Sequence, residues 1–232
     1  MSTTAGQSLL SRLVRRLLTG HLKMAACLFL PAGSLKFWPG WAYLAASLLS
    51  ELRSSIYFYR HDPQLLERRQ LKKEIIGEQK NIHTLWKMLA ALFLMLAGGD
   101  YRFGWSRRLL GPVPCWLTVL AFLFMLSGYN WVFLVLRANR FAASIIQVES
   151  AQVVIDTGPY RFVRHPFYLG AIVIWFCSPL ALGSFVAVPV SFLIIPIIVF
   201  RLLNEEKLLC RELPGYAEYC QRTRCRLVPF VW

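Results

Sequence analysis

Charge is missing from the longest stretch of this chain: no charged residue occurs between Pro166 and Phe200, 35 positions of a total of 232. Acids are scarce elsewhere, with 12 Asp and Glu against 26 Lys and Arg, a formal net charge of +14. Metal-ligand spacing is lacking too. The six cysteines (Cys27, Cys115, Cys177, Cys210, Cys220, Cys225) contain no CxxC pair, and no histidine follows Arg201. A zinc site in the basic C-terminal part would therefore lack ligands, and no metal is expected. No Ser–His or Cys–His constellation points to a nucleophile, and there is no internal repeat or low-complexity tract. Arg12, Arg15 and Arg16 precede an apolar run like a leader, but Lys23 interrupts it and no small-residue cleavage site follows. An uncleaved first span is expected.

Apolar length is abundant. Hydrophobic residues make up 56% of the chain and charged ones 16%. Basic residues flank the apolar segments and do not interleave with aromatics, which favours anionic lipid headgroups over nucleic acid. Breakers divide the chain into six expected spans, at about residues 13–31, 38–59, 84–99, 113–136, 167–182 and 185–203. As one helix the uncharged run would reach roughly 52 Å, too long for a hydrocarbon core of about 30 Å. Gly183-Ser184 is the expected hairpin turn, and Pro179, Pro189 and Pro196 are expected to kink its arms. Only Lys36, Arg102, Arg107 and Arg108 fall in the expected outer loops. The other basic residues lie at the inner side, so both termini are expected in the cytoplasm. The reading is an all-α, polytopic membrane bundle of about six spans. Residues 1–136 form its N-terminal transmembrane region, in which the charged loop 60–82 reads as an amphipathic surface helix.

Residues with chemistry gather at both mouths of the uncharged hairpin. Gly158-Pro159-Tyr160 leads into Arg161, Arg164 and His165, and Pro166 opens the fifth span as a first-turn proline can. Arginine suits a carboxylate or phosphate, and His and Tyr can stack or hydrogen-bond. Gly158 and Gly170 would let a ligand approach the backbone closely. At the far mouth Arg201 and Glu205 lie four apart, on one helix face, and Glu206 follows. Acids at a membrane mouth that face a bundle interior point to function.

These segments resemble the isoprenylcysteine carboxyl methyltransferase family and the wider group of membrane methyltransferases that includes phospholipid N-methyltransferases. The likeness rests on Arg164-His165-Pro166-x-Tyr168-x-Gly170, on Asn204-Glu205-Glu206 and on the tail from Pro214 to Pro229. Asp62-Pro63-x-Leu65-Leu66-x-Arg68-Arg69 adds to it, while elsewhere before residue 137 the likeness lies mainly in span layout. The resemblance implies a cofactor-binding core over 137–232 that takes S-adenosylmethionine at the cytoplasmic edge of the last two spans. Gly158, Tyr160, Val163, Arg164, His165, Tyr168 and Gly170 would line one side, and Glu205, Glu206, Tyr219 and Arg226 the other. Arg201, Glu205 and Asn139 would face the methyl-transfer point. The implied substrate is lipid-like, an isoprenoid or prenylcysteine carboxylate ahead of a phospholipid amine. Sterol-type reductases share the Arg-His-Pro and Glu-Glu elements, which keeps an NADPH-dependent alternative open.

Overall fold

The computed structural model describes residues 2–70, 77–142, 152–229 and 231–232. Helices α1 (Ser2–Ala32), α2 (Trp38–His61), α3 (Pro63–Gln70), α4 (Gly77–Phe103), α5 (Trp105–Leu109) and α6 (Cys115–Ala138) come first. A 3-10 turn at Gly158–Arg161 precedes α7 (Pro166–Ala181), α8 (Val188–Phe192), α9 (Ile194–Glu212) and α10 (Tyr216–Arg222). The described residues form helices, turns and irregular segments without a strand, as the all-α reading expects. Two stretches are long and apolar enough to cross a membrane by themselves, α6 and the consecutive α8–α9 (Val188–Glu212); α7 is a shorter apolar helix. Large apolar side chains such as Leu22, Leu30, Trp116 and Leu123 stand exposed on the outer faces. Such a surface fits a lipid solvent better than water.

Close helix packing organises the bundle. α1 runs parallel to α4, and Gly98 lets the α4 backbone touch the Leu28 carbonyl, where no Cβ would fit. α6 and α7 are antiparallel, with Gly128 and Gly170 facing each other: a Cβ on Gly170 would meet Val132 at 2.7 Å and Trp131 at 2.9 Å. The Trp131 indole also donates to the Pro166 carbonyl at 2.8 Å. One apolar core joins α1, α2, α4, α6, α7 and α9 through Leu28, Phe93, Met125, Trp175 and Ile198.

The hairpin departs from its sequence reading. Its reversal spans residues 182–187 instead of two residues, and the returning arm starts as short α8 before α9. Gly183 takes φ 74°, and the Ser184 hydroxyl accepts the Ala187 amide at 3.2 Å. Buried Asp100 holds Ser106 through both its amide and its hydroxyl. The Ser106 Oγ in turn accepts the Val186 amide at 3.0 Å, so α4–α5 is pinned to the reversal. Pro189 and Pro196 lie in first helical turns, where a missing amide costs nothing. Pro179 alone is interior to its helix. It deprives the Trp175 carbonyl of its usual donor, and the Ser191 hydroxyl supplies one at 3.3 Å.

The expected surface helix over 60–82 is also divided. α2 runs on to His61, Asp62 caps α3 by accepting the Leu65 amide at 3.1 Å, and α4 begins at Gly77. Lys72, Lys73 and Glu74 of that reading lie outside the described residues. So does 143–151 of the connection after α6.

Candidate functional site

The segment after α6 folds around one side chain. Asn139 caps α6 in an extended conformation. Its Oδ1 accepts the Phe141 amide at 2.9 Å, and its Nδ2 donates to the Tyr160 hydroxyl at 3.0 Å. Gly158, at φ 58°, permits the turn that brings Tyr160 there. From the other side, the Tyr219 hydroxyl donates to the Tyr160 carbonyl at 2.7 Å, which ties α10 to this turn. Burial pushes the Tyr160 hydroxyl up to about 12, so it stays protonated at neutral pH.

Glu206 is the hub of a closed charge cluster. Its Oε1 lies 2.9 Å from Arg164 Nη1 and 3.3 Å from His165 Nε2, and its Oε2 accepts Arg226 Nε at 2.8 Å. The backbone reinforces the clamp: the Arg164 and His165 amides donate to the Cys225 and Arg226 carbonyls, each at 2.9 Å. Arg164 Nη2 adds a bond to the Arg224 carbonyl at 3.1 Å. The C-terminal tail is therefore stitched to the entry of α7 by α9.

Glu205, one position earlier, points about 100° away around the helix. Its Oε2 accepts the Tyr168 hydroxyl at 2.8 Å, and that hydroxyl accepts Arg201 Nε at 3.1 Å. Acid, phenol and guanidinium form one chain on the wall of a cavity of about 430 Å³. The wall also takes in Trp86, Phe141, Phe167 and Tyr216, together with Arg16 and Arg69 from the N-terminal half. Arg69 lies over the Phe167 ring at 5.2 Å. Burial, with Arg16 nearby, lowers its guanidinium to about 10. The volume falls within the range of about 300–1,000 Å³ usual for small-molecule pockets.

Among the residues expected from the sequence, Asn139, Tyr160, Arg164, His165, Tyr168, Arg201, Glu205 and Tyr219 line this cavity. Five stand behind the lining. Glu206 and Arg226 form the clamp, and Gly158 sets the turn. Val163 is fully buried, and Gly170 faces α6. Sequence reasoning did not find Arg16, Arg69, Trp86, Phe167 or Tyr216. A signal existed for Arg69, in the Arg68-Arg69 pair that closes the Asp62-Pro63 motif. No group of three His, Cys, Asp or Glu with metal-binding potential occurs among the described residues.

Residues 118–211 match the isoprenylcysteine carboxyl methyltransferase family. The match bears out the resemblance read from the sequence and runs from within α6 to the end of α9, so it contains Tyr168, Arg201, Glu205 and Glu206. No curated protein matches the chain. The family implies an S-adenosylmethionine-dependent membrane methyltransferase.

Proposed function

We propose that the protein methylates a lipid-like acceptor with S-adenosylmethionine bound in the cavity beside Glu205. The observation that carries this reading is the chain Glu205–Tyr168–Arg201, which opens onto one cavity beneath the tail within the family-matched stretch. Fit to the cofactor is supported by the cavity's mixed wall, which joins a carboxylate for a cation to aromatic and aliphatic surface for a purine. A buried Tyr216 hydroxyl with no hydrogen-bond partner among the described residues adds to the fit. In the proposed placement the bundle crosses the membrane six times and both termini lie in the cytoplasm. The cavity then opens at the inner membrane edge.

When bound, S-adenosylmethionine supplies a methyl group activated by its sulfonium. Glu205 offers the negative charge that complements this cation, and the Tyr168 hydroxyl fixes the carboxylate's direction. Arg201 is anchored through Nε on Tyr168, and its planar fork suits an acceptor carboxylate. Such an acceptor is already ionised at neutral pH, so it needs no base, and positioning with exclusion of water accounts for the rate. An amine acceptor would instead have to give up a proton, for which Glu205 is the available acceptor. The clamp on Glu206 holds the tail over the site. Ile82, Trp86 and Phe167 supply an apolar side for a lipid chain.

The test uses membranes containing the protein, methyl-labelled S-adenosylmethionine and two acceptors, N-acetyl-S-farnesylcysteine and phosphatidylethanolamine. Base-labile label on the farnesylcysteine is expected, from the wild type and not from Glu205→Gln. Base-stable label on the phospholipid would reassign the acceptor to an amine. Absence of any transfer, with NADPH oxidised in the presence of a sterol, would move the protein to the reductases.

A further inference from the structure

Three tyrosines surround the tail side of the cavity, and they are not equivalent. Tyr160 accepts from Asn139 at its hydroxyl, and Tyr219 spends its hydroxyl on the Tyr160 carbonyl. Tyr216 is 4% exposed and lines the cavity, yet its Oη has no hydrogen-bond partner among the described residues. A buried hydroxyl left in this way is costly. No contact among the described residues offsets the cost, and the ring's apolar contacts do not call for a hydroxyl. Its ring lies 5.7 Å from that of Tyr219 and packs in a small apolar cluster with Leu213, Leu209 and Val154. This cluster gives the cavity apolar surface, while Arg201 and Glu205 give it a charged wall.

We infer that Tyr216 is the donor the tail presents to the adenosine half of the cofactor, with the cluster around it as the purine wall. The inference rests on the proposed methyltransferase reading. Burial among acidic groups pushes the Tyr216 hydroxyl up, so it stays protonated and is a donor to any acceptor placed before it. A ring nitrogen or ribose oxygen beside a flat apolar wall is such an acceptor. The amino-acid half, carrying ammonium and carboxylate, fits the charged wall instead. The tail thereby senses the cofactor directly: α10 gains its missing hydrogen bond only when the site is filled.

Titration calorimetry of S-adenosylhomocysteine and of adenosine, on the detergent-purified full chain, tests this in the wild type, Tyr216→Phe and Tyr219→Phe. Thermal unfolding without ligand runs alongside. Tyr216→Phe is expected to weaken both ligands by about 5- to 20-fold and to leave the unliganded melting temperature unchanged or higher. Tyr219→Phe is expected to lower that temperature, since its hydroxyl holds the turn at Tyr160. Unchanged affinity in Tyr216→Phe, beside normal wild-type binding, would overturn the inference alone. So would a loss confined to S-adenosylhomocysteine, because the donor would then read the amino-acid half. A folded wild type that binds neither ligand would overturn both the inference and the methyltransferase reading.

Discussion

Glu205 and Glu206 are neighbours in sequence, and the two regions they serve are opposites. On the Glu206 side two arginines and a histidine converge on one buried carboxylate, and two backbone hydrogen bonds beside it lock the tail to the entry of α7. On the Glu205 side one carboxylate oxygen takes the Tyr168 hydroxyl, and the wall gives onto open space. A helix makes this division with no further device, since consecutive side chains diverge by about 100°. One acid therefore builds the tail into the fold while the other stays available for a ligand. This acid pair, just past the uncharged run, is better read as two jobs than as one doubled charge.

The comparison breaks most severely at the closed side. Glu206→Ala leaves Arg164 buried without its counter-charge, a loss expected to cost about 3–5 kcal/mol. The melting temperature should fall, and trypsin should cut the tail at Arg222 or Arg224 far faster than in wild type. An unaltered digestion pattern would show that the clamp does not hold the tail. Glu205→Gln is expected to do the reverse: a melting temperature close to wild type, with affinity for S-adenosylhomocysteine reduced at least about tenfold, or 1.4 kcal/mol. If both variants lost stability equally, the division between the two acids would be wrong.

Smaller effects sharpen the open side. Arg201→Ala should reduce kcat by about 10- to 100-fold, the value of a hydrogen bond to a charged group, with a lesser change in cofactor affinity. Equal losses in both would remove Arg201 from the acceptor. Tyr168→Phe keeps the ring and deletes the link between Arg201 and Glu205. About 1 kcal/mol is expected, seen as a several-fold rise in the KM for S-adenosylmethionine without a change in fold. An unchanged KM would show that Glu205 needs no such support.

Much of this site could be read locally. Tyr160, Arg164, His165 and Tyr168 fall within nine residues, and Arg201 and Glu205 share a helix face by spacing alone. What escaped depends on three dimensions. Gly170 reads as a place for close ligand approach, but the close approach is made by α6, through Gly128 some forty residues earlier. Trp86 and Arg69 reach the cavity only because α3 and α4 pack beside the site end of α7. No pattern in Tyr216-Ala217-Glu218-Tyr219 tells which tyrosine spends its hydroxyl; that is settled by where the Tyr160 carbonyl lies. Helices α2, α6 and α7 were legible from apolar length and breakers. The broken returning arm was not, because Pro189 and Pro196 read as interior kinks until the first turns of α8 and α9 are known.

The central claim is that the open side of α9 holds an S-adenosyl cofactor. Calorimetric titration of purified wild type with S-adenosylhomocysteine, with NADPH as the parallel titrant, tests it most directly. The account predicts saturable binding of S-adenosylhomocysteine near one per chain, and none of NADPH. Binding of NADPH alone, or of neither by a protein that still unfolds cooperatively, would contradict it.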